Sequence, residues 1–131
     1  MMRRSLVAVV SAGLLAACGG KDGPDPTKPV AGDLTVAYTG PSQTDGALLI
    51  VVTGAIAEVK AVGSYQVASA PLGATSTRVV VVGTLSAGDI FKIRVSDVKA
   101  VGTYSARVDE AADRETFALN DPTGYTVVVR K

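Results

Sequence analysis

The chain of 131 residues has no histidine and no tryptophan, a single cysteine and only two phenylalanines. Each shortage removes a class of chemistry. Without histidine, Ser-His-Asp and Cys-His catalysis in their usual forms are excluded, along with most zinc sites. One cysteine, Cys18, cannot form a disulfide within the chain, so packing and backbone pairing must hold the fold. Without tryptophan, a sugar-stacking surface would rest on tyrosine, of which there are four. The glycine-rich stretches lack a Gly-Lys-Ser/Thr and a following helix, so no phosphate loop is present. Helical periodicity is confined to Asp109–Glu115, which argues against a parallel βαβ sheet. The net charge is +1, from 13 basic and 12 acidic residues. A balance this even makes no electrostatic case for nucleic acid or for anionic lipid headgroups. No motif implies a cofactor or a metal.

What is present begins with Met1-Met2-Arg3-Arg4, a basic start, and an apolar run from Ser5 to Ala17. The run is shorter than the roughly 20 residues that cross a bilayer. A basic head, a short apolar run and small residues before a cut site describe a secretory signal peptide over 1–17. It ends in Leu15-Ala16-Ala17-Cys18, which resembles the bacterial lipobox. The resemblance implies cleavage between Ala17 and Cys18, a lipid on the Cys18 sulfur and a membrane-anchored protein of the cell envelope. Gly19, where an Asp tends to retain a lipoprotein in the inner membrane, implies the outer membrane in a Gram-negative organism. The chemistry suits cysteine, whose sulfur is the strongest nucleophile among neutral side chains. Each buried lipid CH₂ contributes about 0.8 kcal/mol, so two or three acyl chains hold firmly. Residues 18–32, with four glycines and three prolines among charges, read as a flexible tether.

From Asp33 the hydrophobic period changes to two. Leu34, Val36 and Tyr38 alternate with Thr35, Ala37 and Thr39. Ala47–Val52 and Arg78–Val82 are β-branched runs bounded by glycine, the pattern of strands covered on both faces. Phe91, Ile93 and Val95 alternate with Lys92 and Arg94. Ile56–Val62, Tyr65–Ala68, Thr103–Val108 and Tyr125–Val129 complete about eight short strands, with Pro71-Leu72-Gly73 as a loop. Regular short strands with turn signals predict an all-β domain over 33–131, a two-sheet immunoglobulin-like sandwich. The terminal strand is a natural edge, which Arg130 and Lys131 guard against unwanted pairing.

An internal echo runs through this domain. Glu58-Val59-Lys60-Ala61-Val62-Gly63-Ser64-Tyr65 recurs as Asp97-Val98-Lys99-Ala100-Val101-Gly102-Thr103-Tyr104. Two equivalent corners, each with a tight glycine turn and a tyrosine cover, are the favoured reading. The functional alternative is a paired partner surface from Lys60, Tyr65, Lys99 and Tyr104. The openings Gly32-Asp33-Leu34-Thr35-Val36, Asp45-Gly46-Ala47-Leu48 and Ala87-Gly88-Asp89-Ile90 resemble those of cohesin-type bacterial sandwich domains. That resemblance implies an extracellular module that binds proteins or acts as a spacer. The acids Asp109, Glu110, Asp113, Glu115 and Asp121 fit no calcium loop and read as a solvated, ion-paired face. The expectation is therefore a lipid-anchored binding or structural module without catalysis, its partners the membrane through Cys18 and an envelope protein or glycan. The alternatives are a glycan or small-ligand binder and, on the 109–115 acids alone, a carboxylate-dependent envelope hydrolase.

Overall fold

Alternation fixes the first strand. In β1 (Gly32–Thr39), Leu34, Val36 and Tyr38 are buried, and Asp33, Thr35 and Thr39 lie on the other side. The computed structural model describes residues 27–131, in which β1 is followed by β2 (Asp45–Thr53), β3 (Glu58–Ala61), β4 (Gln66–Gly73), β5 (Ser76–Val82), β6 (Gly88–Val95), β7 (Ser105–Asp113), β8 (Leu119–Asn120) and β9 (Thr126–Arg130). All neighbours pair antiparallel. One sheet has the order β3-β6-β1-β9, the other β4-β5-β2-β7-β8. The expected all-β, two-sheet sandwich is therefore what the chain forms, with nine strands rather than about eight.

The core lies between the sheets. Leu34, Val36, Phe91 and Ile93 from the four-stranded sheet meet Leu48, Ile50, Val52, Val79 and Val81 from the five-stranded one. Each large apolar side chain so buried contributes about 1.5–3 kcal/mol. Only the β4–β5 and β7–β8 connections stay within a sheet; every other connection crosses to the opposite layer.

The sandwich has two distinct ends. Gly32 lies opposite Val95, and Ala57 donates to the Arg94 carbonyl at 2.8 Å, which brings the start of β1 and the end of β2 to one end. Asp97 to Tyr104 closes that end through a 3₁₀ turn at Val98–Thr103. The loops 40–44, 83–87 and 114–125 gather at the other end.

Several local readings change. Asp109–Glu115 is not helical. Residues up to Asp113 continue β7, because pairing with β2 captures them, and Asp109 is the extra residue of a bulge between Leu49 and Ile50. Pro71–Gly73 belongs to edge strand β4, where proline is tolerated. The outer face of the β2 run is covered only in part: Val51 is buried there. Leu49 and Val80 are half-buried on the outside of the five-stranded sheet, and Val82 is exposed. The segment before β1 does not hang free from residue 32. The Val30 N–H donates to Asp97 Oδ1 at 3.1 Å, its carbonyl accepts from the Val98 N–H at 2.8 Å, and Lys99 Nζ donates to the Lys28 carbonyl. Residues 28–30 are thus tied to the turn that follows β6.

Candidate functional site

Ala17 and Cys18 lie outside the described residues. Of the echo residues, Lys60 sits on edge strand β3 and reaches Asp33 at 3.6 Å, an acid that also meets Arg94 at 3.6 Å. Lys99 sits in the 3₁₀ turn. Tyr65 and Tyr104 precede β4 and β7. Since Gln66 pairs with Val82 and Ser105 with Thr53, the two rings lie at opposite ends of the five-stranded sheet. The structure therefore does not bring the four residues together.

The two tyrosines perform the same task at those ends. A Cβ on Gly54 would stand 2.3 Å from the Tyr104 ring, and one on Gly83 3.0 Å from the Tyr65 ring. Both glycines have positive φ, +125° and +153°. Each ring covers the bare backbone opposite its own strand. Tyr104 donates to the Ala55 carbonyl at 2.9 Å, and the Tyr65 hydroxyl accepts from the Ser86 N–H at 3.4 Å. The halves of the echo preceding the turns diverge. Glu58–Ala61 is strand, whereas Asp97, one methylene shorter than Glu, accepts from the Lys99 N–H at 3.1 Å and starts a 3₁₀ turn.

The acids of 109–115 separate. Asp109 pairs with Arg107 at 2.9 Å, and Glu110 and Glu115 are exposed. Asp113 accepts from Glu115 and Thr116 N–H at 2.8 and 3.0 Å and from the Thr44 hydroxyl, which hold its carboxyl down at about 2, the hydroxyl having the largest effect. Beyond it, Asp121 caps the short turn Pro122–Gly124 through the Thr123 N–H. Among the described residues, no group of three His, Cys, Asp or Glu is placed to hold a metal.

Two features at the end formed by 40–44, 83–87 and 114–125 escaped the sequence reading. The first is polar. Asp45 is completely buried. Its Oδ1 accepts from the Tyr125 hydroxyl at 2.6 Å and from Asn120 Nδ2 at 3.4 Å, and Asn120 also donates to the Tyr125 oxygen at 3.2 Å. Burial, then the bond to Asp45, push the Tyr125 hydroxyl up to about 12. Tyr38 stacks on Tyr125 with centroids 6.5 Å apart, and burial raises its hydroxyl further still. Tyr38 Oη and Asp45 Oδ2 find no hydrogen-bond partner among the described residues. Against Tyr38 opens a cleft of about 460 Å³, lined also by Gly40, Ser42, Gln43, Ser86 and Ala87.

The second feature is apolar. Ala47, Leu49, Val80, Val82 and Ala112 form adjoining rows on the outer face of the five-stranded sheet. A hollow of about 420 Å³ next to them is walled by Ala47, Val82, Gly83 and Phe117. Phe117 is 83 % exposed and has φ of 58°, while Leu119 beside it is 70 % exposed. A left-handed conformation costs a side-chain-bearing residue roughly 1–2 kcal/mol. The left-handed residue closes the β7–β8 turn, its N–H donating to the Asp113 carbonyl at 3.0 Å; glycine or asparagine would serve that backbone at less cost, and the large apolar ring that stands there is left in solvent.

Comparison with family models, with curated proteins and with solved structures returns no match in any of the three.

Proposed function

We propose that the chain is a lipid-anchored binding module of the cell envelope without catalytic activity, held to a membrane through Cys18, and that it binds a protein partner on the outer face of its five-stranded sheet. The observation that carries this reading is the apolar face ending at Phe117, a strained and exposed aromatic beside a hollow of matching character. Contiguous apolar surface of this kind marks interaction sites. The lipobox resemblance at Leu15–Cys18 supplies the address, and the cohesin-like openings agree with protein binding.

The test joins the mass of the N-terminal peptide to co-purification from solubilised envelope. A lipidated Cys18, with one partner retained by the native chain and lost on Phe117→Asn, is the expected result. Asn tolerates the left-handed backbone, so this variant should be as stable as the parent or more so. A bare Cys18 overturns the address; a partner that survives Phe117→Asn overturns the face.

A second reading, a glycan or small polar ligand, is favoured by the cleft over Tyr38. Its lining offers three hydroxyls and an amide, and one of the hydroxyls is the unpartnered Tyr38 Oη. Loss of polyol binding on Gln43→Ala, with the Phe117 face intact, would separate it from the first. The carboxylate-dependent hydrolase draws no such support, because the 109–115 acids are engaged separately.

A further inference from the structure

Each sheet ends in two strands with one side bare, and three of these four edges are protected. β3 has four residues and carries Glu58 and Lys60, β9 has five and ends in Arg130, and β8 has only two. Charge and shortness of this kind stop an edge from recruiting another strand. β4 has neither. Its eight residues, Gln66–Gly73, carry no charge, and every one except Val67 is exposed. Pro71 and the register shift between Pro71 and Gly73 interrupt only its far end. Along Gln66–Ala70 the backbone pairs with β5 on one side, and no hydrogen bond among the described residues reaches the other.

What fits such an edge is an extended backbone, and the side chains decide whose. Val67 and Ser69 lie level with the buried Val81 and Val79; Gln66, Ala68 and Ala70 face outwards, level with Val82, Val80 and Arg78. Laid antiparallel on itself about Ala68, this stretch sets Val67 against Ser69 of a second copy and Gln66 against its Ala70. No charge meets a like charge, and no bulky side chain meets another. Arg78 is exposed and makes no ion pair among the described residues. Across the small Ala70 it faces Gln66 of the second copy, two strand spacings or about 10 Å away. A guanidinium on its long stem and a glutamine amide together span that gap, and symmetry makes the contact twice.

We propose that β4 pairs antiparallel with β4 of a second copy of this chain, centred on Ala68, so that two five-stranded sheets become one continuous sheet. Such a contact uses the same patch twice and closes at two copies. The joined sheet ends in β8 on both sides, whose two residues are too few to template a third copy. The two-fold axis stands perpendicular to the sheet, so both outer faces lie on the same side. Their apolar rows then meet as Leu49, Val80 and Ala68 of one copy followed by Ala68, Val80 and Leu49 of the other. Pairing thus presents the face that ends at Phe117 twice, which raises the avidity for a partner able to engage both. Neither the lipid on Cys18 nor a partner on that face is needed for the pairing itself.

The test applies mild oxidation to cells producing the full chain with one added cysteine; the parent, whose only cysteine is Cys18, gives the background. Residues directly opposite in an antiparallel pair are close enough for a disulfide. Ala68→Cys should link to itself. Gln66→Cys and Ala70→Cys, produced together, should link to each other several-fold more than either links to itself. Val128→Cys, exposed on the β9 edge, should stay at background. Sedimentation of the purified full chain in detergent then reads the affinity. Ala68→Lys, which sets like charges face to face, should weaken the dimer several-fold with an unchanged melting temperature. Gln66→Glu, placed opposite Arg78 of the other copy, should tighten it several-fold, a gain lost when Arg78→Gln is added. A parent that sediments as a monomer at every concentration, or Ala68→Cys linkage no greater than that of Val128→Cys, overturns the proposal. So does a disulfide from Ala68→Cys to a different polypeptide, which would give the edge to another chain.

Discussion

Tyr125→Phe removes one oxygen from the least forgiving place in the molecule. That hydroxyl donates at 2.6 Å to Oδ1 of Asp45, a fully buried side chain whose Oδ2 has no partner among the described residues. After the substitution Oδ1 keeps only Asn120, at 3.4 Å. A hydrogen bond to a charged group contributes about 1.5–3 kcal/mol, and stripping a buried charge of its partner costs about 3–5 kcal/mol. The expected loss is about 2–4 kcal/mol, since Asn120 remains. The ring stays, so packing on Tyr38 is preserved and no cavity opens. For a domain of this size the melting temperature should fall by about 10–15 °C. Denaturant titration of Tyr125→Phe, Asp45→Asn and the double variant gives the coupling, expected to exceed about 1 kcal/mol. Tyr104→Phe is the control: it loses an exposed bond to a neutral carbonyl and should cost about 0.5–1.5 kcal/mol. If Tyr125→Phe costs no more than Tyr104→Phe, the buried carboxylate is not held as described here.

Four further outcomes follow. Gly54→Ala places a methyl into the Tyr104 ring at a backbone angle of +125° and should destabilise by about 2–3 kcal/mol in chemical denaturation; a neutral result would deny the ring-on-glycine corner. Asp113 is depressed to about 2 in the folded state, below the 3.8 of the unfolded chain, so its contribution is present above about pH 4 and is lost as pH falls towards 2. Asp113→Asn should therefore flatten the acid limb of a stability-versus-pH curve, and an unchanged limb refutes the assignment. Tyr125 is raised from 10.0 to about 12, so the stability its neutral form contributes is intact below pH 10 and is lost as pH rises towards 12, a loss that Tyr125→Phe should remove. Asp97→Ala releases the Val30 and Lys99 N–H groups, so amide hydrogen exchange at Val30 should speed up several-fold while the melting temperature changes little; unchanged exchange would place the order of residues 28–31 elsewhere.

The strands were legible because burial on one face leaves a period of two, and Leu34-Val36-Tyr38 and Phe91-Ile93-Val95 carry it cleanly. Asp109–Glu115 was not, because four carboxylates in seven residues hide a strand that pairing with β2 imposes. Asp45-Gly46 reads locally as a turn. Its burial depends on Tyr125, 80 residues away, and no local pattern announces such a partner. The echo placed the tyrosine covers, but the glycines beneath the rings, Gly54 and Gly83, lie outside it, and of its own two only Gly63 has a positive φ; Glu58 and Asp97 then send the same following residues into strand and 3₁₀ turn.

The placement of β9 also sets an order in time. β1, the first strand, is flanked by β6 and by β9, so its sheet stays one neighbour short until residues 126–130 are available. Tyr125, which secures Asp45, arrives with the same segment. A chain emerging from its amino terminus therefore holds β1 with one bare edge, and Asp45 without its Tyr125 partner, until residues 125–130 are out. Pairing between strands so far apart in sequence is slow to form, so this layer closes late in folding.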